Sequence, residues 1–249
     1  MRLQIRLVIS FLVATGITAA VASSVGFMMI GKTTLDEVQR KVQQDINTAK
    51  LVFRHSLERL ENQLQFYAVR SPIHEAITKG NLEPLEDLRL LIRSDTFTSP
   101  GHLALDMLTL VDTSGRVIFR AANPEAKGDV ILWDSVVKRC LEEKRPVSSP
   151  ILMPLDVIVA QNPRLASRVE IPIVKTEKSV EIREKVLRQG MVLRSAYPIL
   201  DRDGRLLGAL VAGILLNKDY SIVDTIKETV YQAERYRGKD MGFSTLFLG

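Results

Sequence analysis

The spacing of apolar positions changes twice along the chain, and each change marks a new kind of element. From Leu7 through Gly31 no charged residue occurs. About 25 residues at ~1.5 Å each give roughly 37 Å of helix, enough to cross a ~30 Å hydrocarbon core. From Thr33 to Val69 charge returns, and Leu35, Val38, Val42, Ile46, Ala49, Phe53, Leu57, Leu60 and Leu64 recur at steps of three and four. That is the stripe of an amphipathic helix. A continuous helix of about 37 residues would extend roughly 55 Å, longer than a small domain is wide. Its first half is therefore expected to stand as a stalk, and the part from Phe53 on to lie against the protein's own sheet. The near-heptad spacing suits a second helix, hence a homodimer through the stalk.

Beyond Val69 the periods shorten. Ser71-Pro72 ends or bends the helix, and 72–79 and 82–92 predict two short helices on either side of Gly80-Asn81, with a loop over 94–102. Then Met107, Thr109 and Val111 alternate with Leu108, Leu110 and Asp112. Asp112-Thr113-Ser114-Gly115 turns the chain, and Val117, Ile118, Phe119 and Arg120 run back as a hairpin. The same logic repeats from Met191 to Leu216 around Asp201-Arg202-Asp203-Gly204. Two such hairpins imply one antiparallel sheet. Leu206 to Leu216 is nearly all apolar and small, which predicts a central strand covered on both faces.

Between the hairpins, Ile131, Trp133, Val136, Val137, Cys140 and Leu141 predict a helix ending near Lys144. Pro146 to Leu155 predicts an edge strand, since Pro150 and Pro154 cannot donate to a ladder. Asp156 to Gly190 is a long insertion expected to cross or lid the sheet. Asp219 to Tyr236 predicts a helix capped by Asp219 or Ser221. The closing FSTLFLG predicts a further strand, and an apolar strand there suggests the front part of something longer.

Composition narrows the function classes. The 249 residues are 46% hydrophobic and 25% charged, with a formal charge of +5, but the charges interleave without a block of one sign, so nucleic acid is not an expected partner. Cys140 is the only cysteine, which excludes an intrachain disulfide and a thiolate metal cluster. His55, His74 and His102 share no ligand spacing, and the glycines at 204, 208 and 213 do not sit at a strand-to-helix junction. Neither a metal site, a triad nor a phosphate loop is supported; Asp201, Asp203 and Gly204 echo a calcium loop without its later ligands. No cofactor and no enzymatic activity are expected. Arg2 and Arg6 before the apolar span, against Asp36 and Glu37 after it, leave the N-terminus in the cytoplasm and the rest outside. A cleavable signal peptide is the alternative, given Ala20-Val21-Ala22, but the apolar run continues to Ile30, past such a cut.

The anchor and long helix, LTLVDTSGRVIFRAANPEAKGD, the helix around Trp133, and AYPILDRDGRLLGALVAGILLNKDY with its following helix resemble the Cache family of extracytoplasmic sensor domains in bacterial receptors. ERYRGKDMGFSTLFLG resembles the entry into the second module of double Cache sensors in histidine kinases and chemoreceptors. The resemblance implies an α+β fold: a transmembrane helix and stalk, then a PAS-like antiparallel sheet with flanking helices and a small-molecule pocket. It also implies a domain plan of 1–31 cytoplasmic tip and anchor, 32–70 long helix, 71–236 sensor domain and 237–249 start of a second module. The spaced tyrosine, arginine, tryptophan and aspartate of amino-acid-binding Cache domains are not evident as a full set. With no second transmembrane helix, HAMP linker, kinase or methyl-accepting segment in these 249 residues, the chain is expected to sense and not to transmit on its own.

Candidate binding residues follow. Arg120 ends a core strand, where a guanidinium can fork onto a ligand carboxylate. Asn123 and Asp129 offer an acceptor, bind a ligand amine, or hold the turn for local reasons. Trp133 walls a pocket or packs the core. Arg194 and Tyr197 lie on opposite faces of one strand, so only one of them can reach a common pocket, and Tyr197 is the preferred one. These residues predict a sensor for a small, anionic metabolite; the alternative is an exported structural platform without a ligand.

Overall fold

The structure is a computed structural model that describes residues 2–92, 104–174, 185–231, 235–236 and 239–240. The predicted loop over 94–102 and the terminal FSTLFLG strand lie outside the described residues, as does most of the start of a second module. The chain forms two compact units, Met1–Lys50 and Leu51–Gly249.

Helix α1, Arg2–Ala68, runs from the first unit into the second. In the first unit it contains a stretch of mean hydropathy 1.8, long and apolar enough to cross a membrane and with none of it buried. Leu35, Val38, Val42 and Ile46 remain exposed after it, at 62%, 55%, 51% and 44%.

The second unit is built on a five-stranded antiparallel sheet in the order β2-β1-β7-β6-β3. The strands are β1 (Met107–Asp112), β2 (Val117–Arg120), β3 (Val147–Pro154), β6 (Gln189–Leu200) and β7 (Leu206–Leu215). Two residue pairs, β4 (Ile171–Pro172) and β5 (Val186–Leu187), make a separate ladder. The proline-bearing β3 is an edge and the small, apolar β7 is central, as its composition predicts.

Both predicted turns use one device. Asp112 Oδ1 accepts from the N–H of Ser114 at 2.8 Å and of Arg116 at 3.0 Å, while Gly115 takes φ 74°. Asp201 Oδ1 accepts from Asp203 at 2.9 Å and Arg205 at 2.8 Å, with Gly204 at φ 75°. An aspartate that satisfies two turn N–H groups and a glycine free to adopt positive φ make each reversal cheap.

Alternation along the strands divides the sheet into two faces. One face packs against the end of α1, where Leu60 and Leu64 are buried and Ser148 Oγ donates to Glu61 Oε2 at 2.8 Å. The part of the long helix from Phe53 on thus lies on the sheet, as its stripe predicts. Helix α2 (Ser71–Lys79) follows, with Pro in its first turn and Gly80 at φ 71° closing it, and a 3-10 helix spans Glu83–Leu91. The other face is covered by α3 (Ser135–Glu143) over Val111, Ala196, Ala209 and Val211. Beside it the insertion folds as α4 (Leu155–Gln161), a turn of 3-10 helix and α5 (Ala166–Val169) over Met107, Val192 and Leu215.

Two expectations need correction. Trp133 is not part of α3, which starts after Asp134, because the Asp134 carboxylate caps it by accepting from Val136 and Val137. Helix α6 spans Ser221–Tyr231 and does not reach Tyr236, since Arg235–Tyr236 is a strand (β8) paired with Lys239–Asp240 (β9). Asp219 Oδ1 accepts from Ser221 N at 3.0 Å, the predicted cap at the start of α6.

Cys140 is buried, and burial pushes its thiol up to about 12, with Glu143 and Glu61 adding to the shift. It fills space in α3 as an inert apolar group.

Gly208 stands opposite Asp112 where β1 and β7 meet, and a Cβ there would strike the carbonyl oxygen of Val111. Backbone cannot step aside as a side chain can, so Gly208→Ala is expected to cost about 1–3 kcal/mol or more, read as a lowered midpoint of thermal unfolding. A midpoint equal to that of the parent chain would contradict this packing.

Candidate functional site

The face under α3 and α4 carries two buried arginines, which is unusual for a sheet interior. Arg120 is 2% exposed and Arg194 is 0% exposed. Register places them: Arg120 pairs with Thr109 on β1, while Arg194 pairs with Gly213 on β7, itself paired with Met107 on β1. The register shift between Leu110 and Val111 lets Val117 and Arg120, three residues apart, share this face. Strict alternation would have put them on opposite sides.

Each guanidinium is held by its own aspartate from the segment leading into α3. Arg120 donates to both Asp129 oxygens at 2.7 Å and to the carbonyl of Ala126. The hydrogen bond from Arg120 lowers the Asp129 carboxyl below the usual carboxylate range, against a smaller opposing effect of burial. Arg194 Nε donates to Asp134 Oδ2 at 2.9 Å, with both side chains fully buried, and Asp134 Oδ1 is the cap of α3. Removing either partner of such a pair leaves a buried charge uncompensated, at about 3–5 kcal/mol.

Arg194 lies flat on the sheet. A Cβ at Gly213 would sit 3.2 Å from Arg194 Nη1 and 3.2 Å from Met107 Sδ, so the glycine provides the floor over which the side chain reaches toward β1. The third member of the group stands at Thr109 on the same strand. Gln161, at the end of α4, accepts from Thr109 Oγ1 at 2.6 Å. Asn123 donates to the carbonyl of Ala160 at 2.9 Å and so fixes that end of α4.

After these bonds, three buried nitrogens have no hydrogen-bond partner among the described residues: Arg120 Nε, Arg194 Nη2 and Gln161 Nε2. All three are donors, and all three belong to side chains gathered over Met107 and Thr109. A buried donor without an acceptor costs about 1–3 kcal/mol.

A separate clamp secures the insertion. Arg168 donates to Asp106 Oδ1 at 2.8 Å and to the carbonyl of Leu215 at 2.6 Å, and Asp106 Oδ2 accepts from Leu215 N at 2.7 Å. A cleft of about 300 Å³ opens beside the residues that follow Arg120 and Gln161, lined by Ala121, Ala122 and Asn162 together with Arg89, Ile92 and Arg164.

Of the predicted site residues, Arg120, Asp129 and Arg194 are brought to one face and Asn123 supports it. Trp133 is 49% exposed just before the α3 cap. Tyr197 pairs with Leu210 on the face that meets α1, away from Arg120. Asp134, Gln161 and Thr109 are not among the predicted residues. Asp134 could have been found from the Asp-Ser pair ahead of the α3 stripe, a cap signature; nothing in the sequence distinguishes Gln161 or Thr109.

An antiparallel sheet with a long helix on one face and shorter helices over the other is an α+β arrangement of the PAS-like class. The chain belongs to the double Cache family whose model is described as the double sensory domain of two-component sensor kinases, which it matches over residues 35–233. Among solved structures it is similar to the periplasmic domain of Vibrio cholerae LuxQ, at 14% identity over 77% of this chain and 71% of that one, TM-score 0.41. A second crystal structure of the same domain gives 11% identity over 77% and 70%, TM-score 0.42. An extracellular ligand binding receptor from Desulfohalobium retbaense gives 13% identity over 75% of this chain and 27% of that one, TM-score 0.36. No curated protein matches the sequence.

The depressed Asp129 pKa has a signed consequence. A carboxyl whose folded pKa lies below its unfolded value contributes stability that is complete above the ordinary carboxylate range and is lost as pH falls through the folded value. Thermal midpoints followed from about pH 7 down to pH 3 should therefore fall more steeply in the parent chain than in Asp129→Asn. Parallel curves would show that the Arg120–Asp129 pair carries no such linkage.

Proposed function

We propose that this chain is the membrane-anchored sensory module of a two-component or chemotaxis-type receptor, and that its α3-covered face binds a small anionic metabolite. The N-terminus lies in the cytoplasm, residues 7–31 cross the membrane, and 71–236 form the sensor domain outside. The observation that supports the ligand reading is that Arg120 Nε, Arg194 Nη2 and Gln161 Nε2, on side chains that register and the Thr109 bond place on one sheet face, are buried donors without acceptors among the described residues. A carboxylate or other oxoanion supplies what each lacks, and a guanidinium already anchored by an aspartate is oriented before the ligand arrives. Asp129 and Asn123 act by holding the arginine and α4 in place.

Binding can signal only if it favours one arrangement of the protein over another. Of the groups a ligand would engage, Arg120 and Arg194 stand on β2 and β6 and Gln161 ends α4, while the opposite face of the same sheet rests on α1. A change in sheet curvature or strand position would reach the helix through Leu60, Leu64 and the Ser148–Glu61 bond.

A thermal-shift screen of the full chain in detergent against carboxylic acids, amino acids, amines and purines tests the reading. A ligand present at ~100 times its dissociation constant adds about 2.7 kcal/mol, and the stabilising compounds should be anions whose effect disappears in Arg120→Ala. Stabilisation confined to amines, or equal in the folded variant, would reject it, and silence would favour an assembly platform.

The exposed Leu35, Val38, Val42 and Ile46 stripe is the proposed homodimer seam. Because Cys140 is buried and its thiol poorly ionised, Val42→Cys introduces the reactive thiol needed. Mild oxidation in membranes should give a disulfide-linked dimer from Val42→Cys and not from Arg40→Cys on the far side of the helix; equal cross-linking of both would refute the seam.

A further inference from the structure

We propose that the cleft of about 300 Å³ among the end of the 3-10 helix at Glu83–Leu91, the residues after β2 and the residues after α4 binds a short-chain aliphatic carboxylate. The proposal is independent of the α3-covered face, since none of Arg120, Arg194 and Gln161 lines the cleft. Its walls are fixed by bonds that the protein makes with itself. Ala121 N donates to the Leu108 carbonyl at 2.9 Å and so continues the β1–β2 ladder by one residue. Asn162, 3% exposed, donates through Nδ2 to the Asp106 carbonyl at 2.8 Å and accepts at Oδ1 from Arg164 N at 3.1 Å. Walls held in this way need no ordering when a ligand arrives, so less of the contact energy is lost on binding.

Two guanidiniums line the cleft, one from the 3-10 helix and one from the insertion. Arg89 Nε donates to the Ala121 carbonyl at 3.3 Å and Nη1 to Glu86 Oε2 at 2.6 Å, which orients the side chain and balances its charge. Its Nη2 keeps no partner among the described residues. Arg164 has its main-chain N–H tied to Asn162, and its guanidinium makes no hydrogen bond or ion pair among the described residues. No carboxylate lines the cleft, and Glu86 beside it is the partner of Arg89. One uncompensated positive charge with open N–H donors from two walls suits one carboxylate, through charge-assisted hydrogen bonds. The rest of the ligand meets hydrocarbon. Leu90, Ile92, Ala121 and Ala122 complete the lining, and Leu90 stands 66% exposed with apolar surface to be covered. The volume lies at the lower end of the ~300–1,000 Å³ usual for small-molecule sites, which restricts the hydrocarbon part to a few carbons.

Butanoate, propanoate and acetate, titrated by calorimetry into the full chain in phosphatidylcholine nanodiscs, provide the test, with butylamine and 1-butanol as controls. Butanoate should bind, each methylene removed should weaken binding by about threefold to fourfold, and the amine and the alcohol should bind about tenfold or more weaker than butanoate. Arg164→Gln, a change at an exposed residue, should weaken butanoate by about tenfold or more. Ala122→Leu fills the cleft and should abolish binding, with thermal unfolding to show that the fold is kept; if it is not, Arg164→Gln decides alone. Butanoate binding that is lost in Arg120→Ala and intact in Arg164→Gln would assign the anion to the α3-covered face and overturn the cleft. Silence from all three acids, an affinity that ignores chain length, or butylamine binding as tightly as butanoate would overturn it as well.

Discussion

Arg194 and Asp134 form an ion pair with no exposure to water, and much of the second unit depends on it. A buried guanidinium is tolerated only with a partner, and a buried carboxylate only with donors for both oxygens. Asp134 meets both needs by bonding Arg194 with one oxygen and the start of α3 with the other. The pair thus fixes where α3 begins, how it lies over β6 and β7, and in which direction the guanidinium points. It leaves one guanidinium nitrogen open, so the group that stabilises the fold also faces the site.

The same division of labour recurs at Arg120, with one edge of the fork spent on Asp129 and Nε left over. Two arginines, each half used by the protein, make a surface that is electrically balanced yet short of acceptors. The charge balance stabilises the fold, and the shortage of acceptors is what the proposed ligand would relieve. Gln161 adds a neutral donor at the junction of α4 and the sheet, so covering helices as well as strands contribute to one small region.

Much of this architecture was legible in the sequence because it rests on local rules. The Asp-Gly turns, the small apolar run of β7, the prolines of β3 and the stripe of α1 each follow from backbone chemistry within a few residues. The site was legible only in part. Arg120 was visible at the end of a strand, and so was the opposition of Arg194 and Tyr197, since alternation requires it. Which of those two shares Arg120's face depends on the β1–β2 register shift and on the order of strands, both non-local. Asp134 looked like part of a helix and proved to be its cap, and Gln161 became important through a contact with Thr109 far away in the chain.

The edge position of β3 has a consequence for life on a crowded membrane surface. A protein tethered to a bilayer meets its neighbours in two dimensions, at high local density, and with its orientation already fixed, conditions that favour side-by-side strand pairing. Of the eight positions in β3, Pro150 and Pro154 offer no N–H, which makes the strand a poor template for another chain. Lateral encounters along this edge are thereby steered away from sheet extension, so that a membrane-anchored copy can sit beside another without the two sheets fusing.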